Sequence, residues 1–249
     1  MTQPILIERP AAGVRVIRFN RPEKKNALTS AMYVAMTAAL EDAERDEDVR
    51  ALVFLGTPGC FCAGNDLADF LAFAEESPSE PPAAFAFLKA LACFGKPLLA
   101  GVDGLAIGIG TTLNLHCDLT VASARSLFRT PFVDLGLVPE AASSLIAPRL
   151  MGHQRAFAML AMSEDFSGTA AREAGLVWKL AEPEEVEAQT LAAAEKLAAR
   201  PFGALRATRA LLKGDKAEIL ARMDEELALF TERLKSEEAT NAFRRFLKR

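Results

Sequence analysis

The stretch RALVFLGTPGCFCAGNDL, residues 50–67, decides the fold class. Its first part is a short, almost wholly apolar run closed by Gly56 and Pro58, the pattern of a strand buried on both faces. A glycine-bearing turn follows at residues 59–67, and an apolar, helix-compatible run begins near Leu67. The same order recurs downstream. The run KPLLAGV at 96–102 leads through a glycine-rich turn into a helical segment, and Leu119 to Ala122 makes a third candidate strand. Upstream, Val14 to Phe19 is rich in β-branched residues, residues 20–22 break it, and Thr29 or Ser30 can cap a helix through Met32 to Ala43. Strands separated by helix-length segments predict an α/β core.

Past this core the composition changes to long Ala/Leu/Glu/Lys/Arg stretches, which predict helices over 184–200, 203–213, 216–235 and 237–248, punctuated by Pro201 and Gly214. We therefore divide the chain into an α/β core, residues 1–183, and a C-terminal helical region, residues 184–249, that packs on the core or on a neighbouring subunit. The segment EESPSEPP at 75–82 reads as a surface loop rather than a linker, because apolar segments resume at once.

Of the 249 residues, 51% are hydrophobic and 25% charged, with charges interspersed every few positions, so no membrane-spanning helix is expected. With 33 acidic against 29 basic side chains, the net charge of −4 argues against nucleic acid as a partner. The opening MTQPILIERP carries no secretion signal, which makes a cytoplasmic location the expectation. Cys60, Cys62, Cys93 and Cys117 form no CxxC pair and are expected to be reduced, buried thiols. Only His116 and His153 are present, which counts against histidine-rich metal sites.

Three segments can carry chemistry, and each also has a purely structural reading. In the turn at 59–67, free backbone N–H groups at a helix start could receive developing negative charge; alternatively Gly64 shapes a tight turn and Asp66 caps the helix. In GVDGLAIGIGTTLNL, residues 101–115, Leu113 stands where a dinucleotide fingerprint needs a small residue, and the glycines equally suit close packing of a helix on a sheet. In FRTPFVDLGLVPEAASS, residues 128–144, Pro139 and Glu140 predict a helix N-terminus; a carboxylate among Leu135, Leu137, Val138 and Ala141 could instead be buried, with a raised pKa suited to proton transfer. His116 and His153 read as structural, Trp178 as a packed strand residue, and Cys62 as a pocket neighbour without a nucleophilic role. Arg244, Arg245, Lys248 and Arg249 read as a solvated helix end.

Taken together, FCAGNDL at 61–67, KPLLAGVDG at 96–104 with Gly108 and Gly110, Cys117-Asp118-Leu119, AGLV at 174–177 and the opening NRPEKKNAL at 20–28 resemble the crotonase, or enoyl-CoA hydratase/isomerase, superfamily. Within it, Thr130, Pro131 and Phe132, Leu135 and Gly136, Pro139 and Glu140, and Ser143 and Ser144 resemble the peroxisomal-type 3,2-enoyl-CoA isomerase branch. The resemblance implies a core of repeated ββα turns, a C-terminal region used for trimerisation in a homotrimer or hexamer, and an acyl-CoA thioester substrate. It places an oxyanion hole at the backbone N–H groups of Asn65 and Ile109, and coenzyme A along Lys24, Lys25, Ala27, Ala63, Asp66 and Leu67. Each lysine could equally be a solvated surface charge. No metal or redox cofactor is implied; coenzyme A arrives as part of the substrate.

The two glutamates of a hydratase correspond to Thr112 and Phe132, so the resemblance implies isomerisation of a 3-enoyl-CoA to a 2-enoyl-CoA with Glu140 as the single acid/base. Two other functions remain open. One is hydration, or hydrolysis of a CoA thioester, with Glu140 and water. The other is a non-catalytic CoA-binding or scaffold protein, to which the departures at Asp103, Ile109, Thr112 and Phe132 point. Acyl-chain length depends on how residues 68–90, with Phe70, Phe73, Phe85 and Phe87, fold over the tail.

Overall fold

The structure, a computed structural model, describes residues 3–66, 68 and 83–247. Strands β1 (Ile5–Ala11) and β2 (Val14–Phe19) form an antiparallel hairpin. Alongside β2, in parallel, run β3 (Ala51–Leu55), then β5 (Leu98–Val102), β7 (Leu119–Ser123) and β10 (Lys179–Ala181), completing a six-stranded sheet of order β1-β2-β3-β5-β7-β10. A second sheet contains β4 (Cys60–Cys62), β6 (Leu105–Ile107), β8 (Leu127–Arg129) and β9 (Phe166–Ser167), in that order, with only β9 antiparallel to its neighbour.

The strands thus come in pairs. β3 and β4, β5 and β6, and β7 and β8 each give one strand to the first sheet and the next to the second. A helical segment then returns the chain. Every residue of β3 and β5 is buried, which is why both read as uninterrupted apolar runs. This is the repeated ββα architecture of the crotonase fold.

Helix α1 (Ser30–Arg45) starts where Thr29 Oγ1 accepts the Met32 N–H, and it buries Met32, Tyr33, Met36, Leu40 and Ala43 at helical spacing. Against it packs α2 (Ala83–Cys93), whose Phe87 ring lies tilted against Tyr33 and edge-on to Phe54 at ring separations of 5.6 and 6.3 Å. Helix α3 (Ile109–His116) is buried along its entire length. It is followed by α4 (Ser143–Met151), α5 (His153–Leu160) and α6 (Gly168–Glu173). Helix α7 (Val186–Ala198) lies on the six-stranded sheet, where Ala194 and Ala198 join Val14, Val16, Ala51, Val53, Leu55 and Leu99 in a core of their own. After α8 (Phe202–Lys213), helix α9 (Lys216–Leu234) turns Met223, Glu226, Phe230 and Leu234 inward, with Phe230 edge-on to Phe85 at 5.8 Å. The last helix is α10 (Glu237–Leu247). Among the described residues no helix is long and apolar enough to cross a membrane, and no group of three or more His, Cys, Asp or Glu side chains could hold a metal ion.

Three local expectations are corrected. Pro139 and Glu140 do not open a helix: α4 begins only at Ser143, after Ala141 and Ala142 adopt left-handed backbone with φ of 64° and 52°. Trp178 is not packed in a strand but stands 46% exposed just before β10, at the edge of the sheet. Cys93, at the last residue of α2, is exposed, whereas Cys60 and Cys62 are buried and Cys117 is half-buried; all four are free thiols. The loop expected at 75–82, together with Phe70, Phe73, Lys248 and Arg249, lies outside the described residues. Arg244 and Arg245 are exposed.

Passage from one sheet to the other depends on Gly104, between β5 and β6. Its φ is +82°, and a Cβ there would lie 1.8 Å from the Gly59 carbonyl oxygen. Gly104→Ala is therefore expected to destabilise the protein by about 3 kcal/mol or more. A urea unfolding midpoint equal to that of the wild type would refute this account of the corner.

Candidate active site

β4 and β6 are parallel neighbours, pairing Cys60 with Leu105 and Cys62 with Ala106, so their carboxyl ends deliver two turns to the same place. The approach is close enough that a Cβ on Gly110 would sit 2.7 Å from the Cys62 carbonyl oxygen. In the first turn, the Leu28 N–H donates to Gly64 O and the Asp66 N–H to Leu28 O, both at 2.8 Å. This bridge directs the intervening Asn65 N–H away from Leu28. The Asn65 side chain is held separately, its Oδ1 accepting the Tyr33 hydroxyl at 2.5 Å. In the second turn, Gly108 donates to Arg129 O at 2.8 Å and its carbonyl takes the N–H groups of Thr111 and Thr112. Ile109 follows as the first residue of α3, where a backbone N–H has no intrahelical acceptor and the helix dipole favours negative charge.

The loop at 20–28 is fastened to this region by buried Asn26, whose amide donates to the carbonyls of Cys60 and Phe61 at 2.9 and 3.1 Å and whose Oδ1 accepts the Arg21 N–H at 2.8 Å. The Ala63 N–H donates to Lys25 O at 3.0 Å, and Arg21 joins the Asp66 carboxylate at 2.7 Å to the Ala27 carbonyl at 3.0 Å. Lys24, Lys25, Ala27, Ala63 and Asp66 are therefore brought together, with both lysines exposed; Leu67 lies outside the described residues.

Glu140 is 8% exposed, and its carboxylate accepts the Thr112 hydroxyl in a short hydrogen bond. Burial pushes its pKa up to about 8; the Thr112 hydroxyl pulls against this, and the negative charge of Glu226 adds to it. Ile109, Thr112 and His116 stand at helical spacing on one side of α3. His116 Nε2 meets the Ala141 carbonyl at 2.7 Å; a carbonyl can only accept, so this nitrogen carries the proton. Burial holds the His116 pKa down at about 4, which keeps the ring neutral. One short helix thus offers a donor N–H at its start, a hydroxyl to the carboxylate, and a brace for the turn beyond it. Such a site can take up and return a proton beside a group that develops negative charge.

The enoyl-CoA hydratase/isomerase family profile matches residues 9–249. The chain belongs to this family. It is 35% identical over 242 residues to enoyl-CoA delta isomerase 2 of Rattus norvegicus, an alignment covering 95% of this chain and 62% of the longer rat protein. It is 30% identical over 201 residues to the 1,2-epoxyphenylacetyl-CoA isomerase of Escherichia coli, covering 77% of this chain and 75% of that one. Among solved structures, Pseudomonas aeruginosa OdaA superposes with a TM-score of 0.94 at 39% identity, covering 100% of both chains.

For a member of the enoyl-CoA hydratase/isomerase family, the sequence located the segments better than it located their partners. From sequence, Thr112 stands only for a missing glutamate; in the structure its hydroxyl bonds to Glu140. Its position three residues beyond Ile109 on a helix was the available signal. Asn26 lies within the NRPEKKNAL motif, but nothing in the sequence shows which backbone it fastens, and nothing local marks Tyr33 or Glu226. Phe132 is buried in the main core. Cys62 is also buried, its thiol pushed up to about 12, so it stays protonated and unreactive.

The raised pKa of Glu140 has a consequence for stability. An unfolded glutamate titrates near 4.5, so the folded state pays nothing below that pH, loses stability as the pH rises toward 8, and bears the full cost above it. Glu140→Gln, which keeps an acceptor for Thr112, should therefore stabilise the protein by on the order of 2–4 kcal/mol at about pH 9 and by far less at about pH 5. Equal shifts in thermal midpoint at the two pH values would contradict the burial of an ionisable carboxyl.

Proposed function

We propose that the chain is an enoyl-CoA isomerase that converts a 3-enoyl-CoA to the conjugated 2-enoyl-CoA. The observation that carries this reading is the buried Glu140 carboxyl, its pKa raised, bonded to Thr112 of α3, the short helix that begins with the Ile109 N–H. In the proposed reaction the Glu140 carboxylate takes a proton from carbon 2 of the thioester. The electrons pass into a dienolate whose oxygen rests on the N–H groups of Asn65 and Ile109. Glu140 then returns the proton to carbon 4, leaving the double bond between carbons 2 and 3. One group acts first as base and then as acid, so no second proton carrier is needed.

Two substitutions favour isomerisation over hydration. Phe132 cannot exchange a proton, and Thr112, at the other position corresponding to a hydratase glutamate, spends its hydroxyl proton on Glu140. The relative from rat carries the name of an enoyl-CoA delta isomerase, which agrees with the same chemistry. Coenzyme A would lie along Lys24, Lys25, Ala27, Ala63 and Asp66, with Leu67 completing the path. We further propose a homotrimer or hexamer; Leu211 and Leu212 on α8, 84% and 83% exposed, suit a contact between subunits.

Purified protein incubated with a 3-enoyl-CoA, and separately with a 2-enoyl-CoA, should convert the first and leave the second unhydrated when products are resolved chromatographically. Glu140→Gln should lower kcat by about 100-fold or more while the affinity for CoA esters persists. Formation of a 3-hydroxyacyl-CoA or of free CoA would mean that Glu140 activates water instead. Because the base must be ionised, kcat/KM should rise with pH and level off above about 8. In Thr112→Val, loss of the hydroxyl that holds the carboxyl down should move that limb to higher pH, and a limb unchanged in both position and height would exclude the hydrogen bond from catalysis.

A further inference from the structure

Two adjacent residues without glycine's freedom, Ala141 and Ala142, hold left-handed backbone directly after Glu140. Such conformations cost roughly 1–2 kcal/mol per residue and persist only where neighbours enforce them. One enforcing contact is already described, from His116 to the Ala141 carbonyl. The others converge from a helix distant in sequence. Glu226, on α9, is 5% exposed, and both of its oxygens are occupied by this turn. Oε2 accepts the Ala142 N–H at 2.6 Å, while Oε1 accepts the Ser144 N–H at 3.1 Å and the Ser144 hydroxyl at 2.5 Å. Ala142 precedes α4 and has no side chain able to cap it, so Glu226 supplies the missing cap from 84 residues away.

We propose that Glu226 is a positioning residue for Glu140: by pinning Ala142 and Ser144 it enforces the left-handed turn that aims the Glu140 carboxylate at Thr112 and at the substrate carbons. This inference rests on the assignment of Glu140 as the acid/base. A buried carboxylate accepting three donors beside a helix N-terminus is electrostatically supported there, which explains why a charge rather than an apolar side chain fills this position of α9. When Glu226 is truncated, Ala141 and Ala142 can relax to right-handed or extended backbone. That rotation swings the Glu140 side chain off its line, whereas the loop at 20–28 and the turn at 63–66 are untouched.

The charges around the pair are few. Thr112 and His116 face the turn from α3, the ring neutral; Arg209 and Lys213 on α8 act on His116; and on α9 Arg222 lies 3.4 Å from the Ser144 hydroxyl. Burial drives the Glu226 pKa upward, while its three donors and Arg222 oppose that rise. Glu226 in turn adds negative potential at Glu140. Removing its charge should therefore lower the pH at which Glu140 ionises.

The test uses the full chain with a 3-enoyl-CoA as substrate and compares Glu226→Ala, Glu226→Gln and Glu140→Gln with the wild type. Glu226→Ala should lower kcat by about 10- to 100-fold with KM changed less than about threefold. Glu226→Gln can still accept the Ala142 N–H and donate to Ser144 Oγ, so it should recover part of kcat, with the acidic limb of kcat/KM moved to lower pH. The Gln variant decides the matter even where the Ala variant fails to fold. Wild-type kcat and an unmoved limb in folded Glu226→Gln, beside an inactive Glu140→Gln, overturn this proposal and leave the acid/base assignment standing. A loss shared equally between kcat and KM, with the limb unmoved, also overturns it, because that is the signature of general loosening. Full activity in Glu140→Gln overturns the assignment of the base itself.

Discussion

Burial of one carboxyl constrains the arrangement around it. An ionised glutamate removed from water is costly unless hydrogen bonds support it, and among the described residues the support at Glu140 is one short bond from Thr112. That limit is what leaves the pKa near 8. A second strong donor would stabilise the carboxylate and return it to the acidic range, where it would be a poor base. The proposed chemistry therefore calls for a helix that offers a hydroxyl at one position and an N–H at another. The face of α3 defined by Ile109, Thr112 and His116 meets this demand, with the histidine held neutral by its own burial.

The ββα repeat makes the geometry available. Because each turn gives a strand to each sheet, β4 and β6 lie side by side although a long segment separates them in sequence, and their carboxyl ends carry the two N–H groups that we propose receive the oxyanion. Glycine at position 110 lets α3 approach the backbone of Cys62, closer than any side chain would allow. Ile109 does not interfere. The donor is its backbone, which sits at a helix start whatever the side chain, and the side chain itself is buried in the core. The departure from glycine at 109 therefore does not require loss of the hole.

The strands were legible because they are buried on both faces and read as short apolar runs. The C-terminal helices were equally plain from composition, with observed ends at Ala198, Lys213, Leu234 and Leu247. The errors arose where tertiary bonds outweigh local preference. Pro139 and Glu140 have the local chemistry of a helix start, yet the residues that follow form a left-handed turn hydrogen-bonded to His116 and Glu226. Trp178 follows an apolar pair and resembles a strand residue, but at the sheet edge its side chain meets water. Glu226 itself sits in an ordinary amphipathic helix, and no spacing rule links it to a turn 84 residues earlier. Sequence patterns report which face of an element is buried; they do not report which distant backbone a buried polar group satisfies.

Alanine at 141 and 142 poses a final question, since glycine would adopt the left-handed conformation without strain. Glycine would also leave the turn free to visit many other conformations, so the direction of Glu140 would be set less sharply. Alanine restricts those alternatives, and the hydrogen bonds from His116 and to Glu226 select the strained one among the few that remain. The strain and the buried carboxyl are two costs concentrated in three consecutive residues, and both weigh against folding stability. They are borne by a main core that includes α1, α2, α3 and α9. In the proposed reaction one proton moves between two carbons of the same substrate, so a base of fixed direction is an advantage, and in our proposal backbone strain and the Glu226 carboxylate supply that direction.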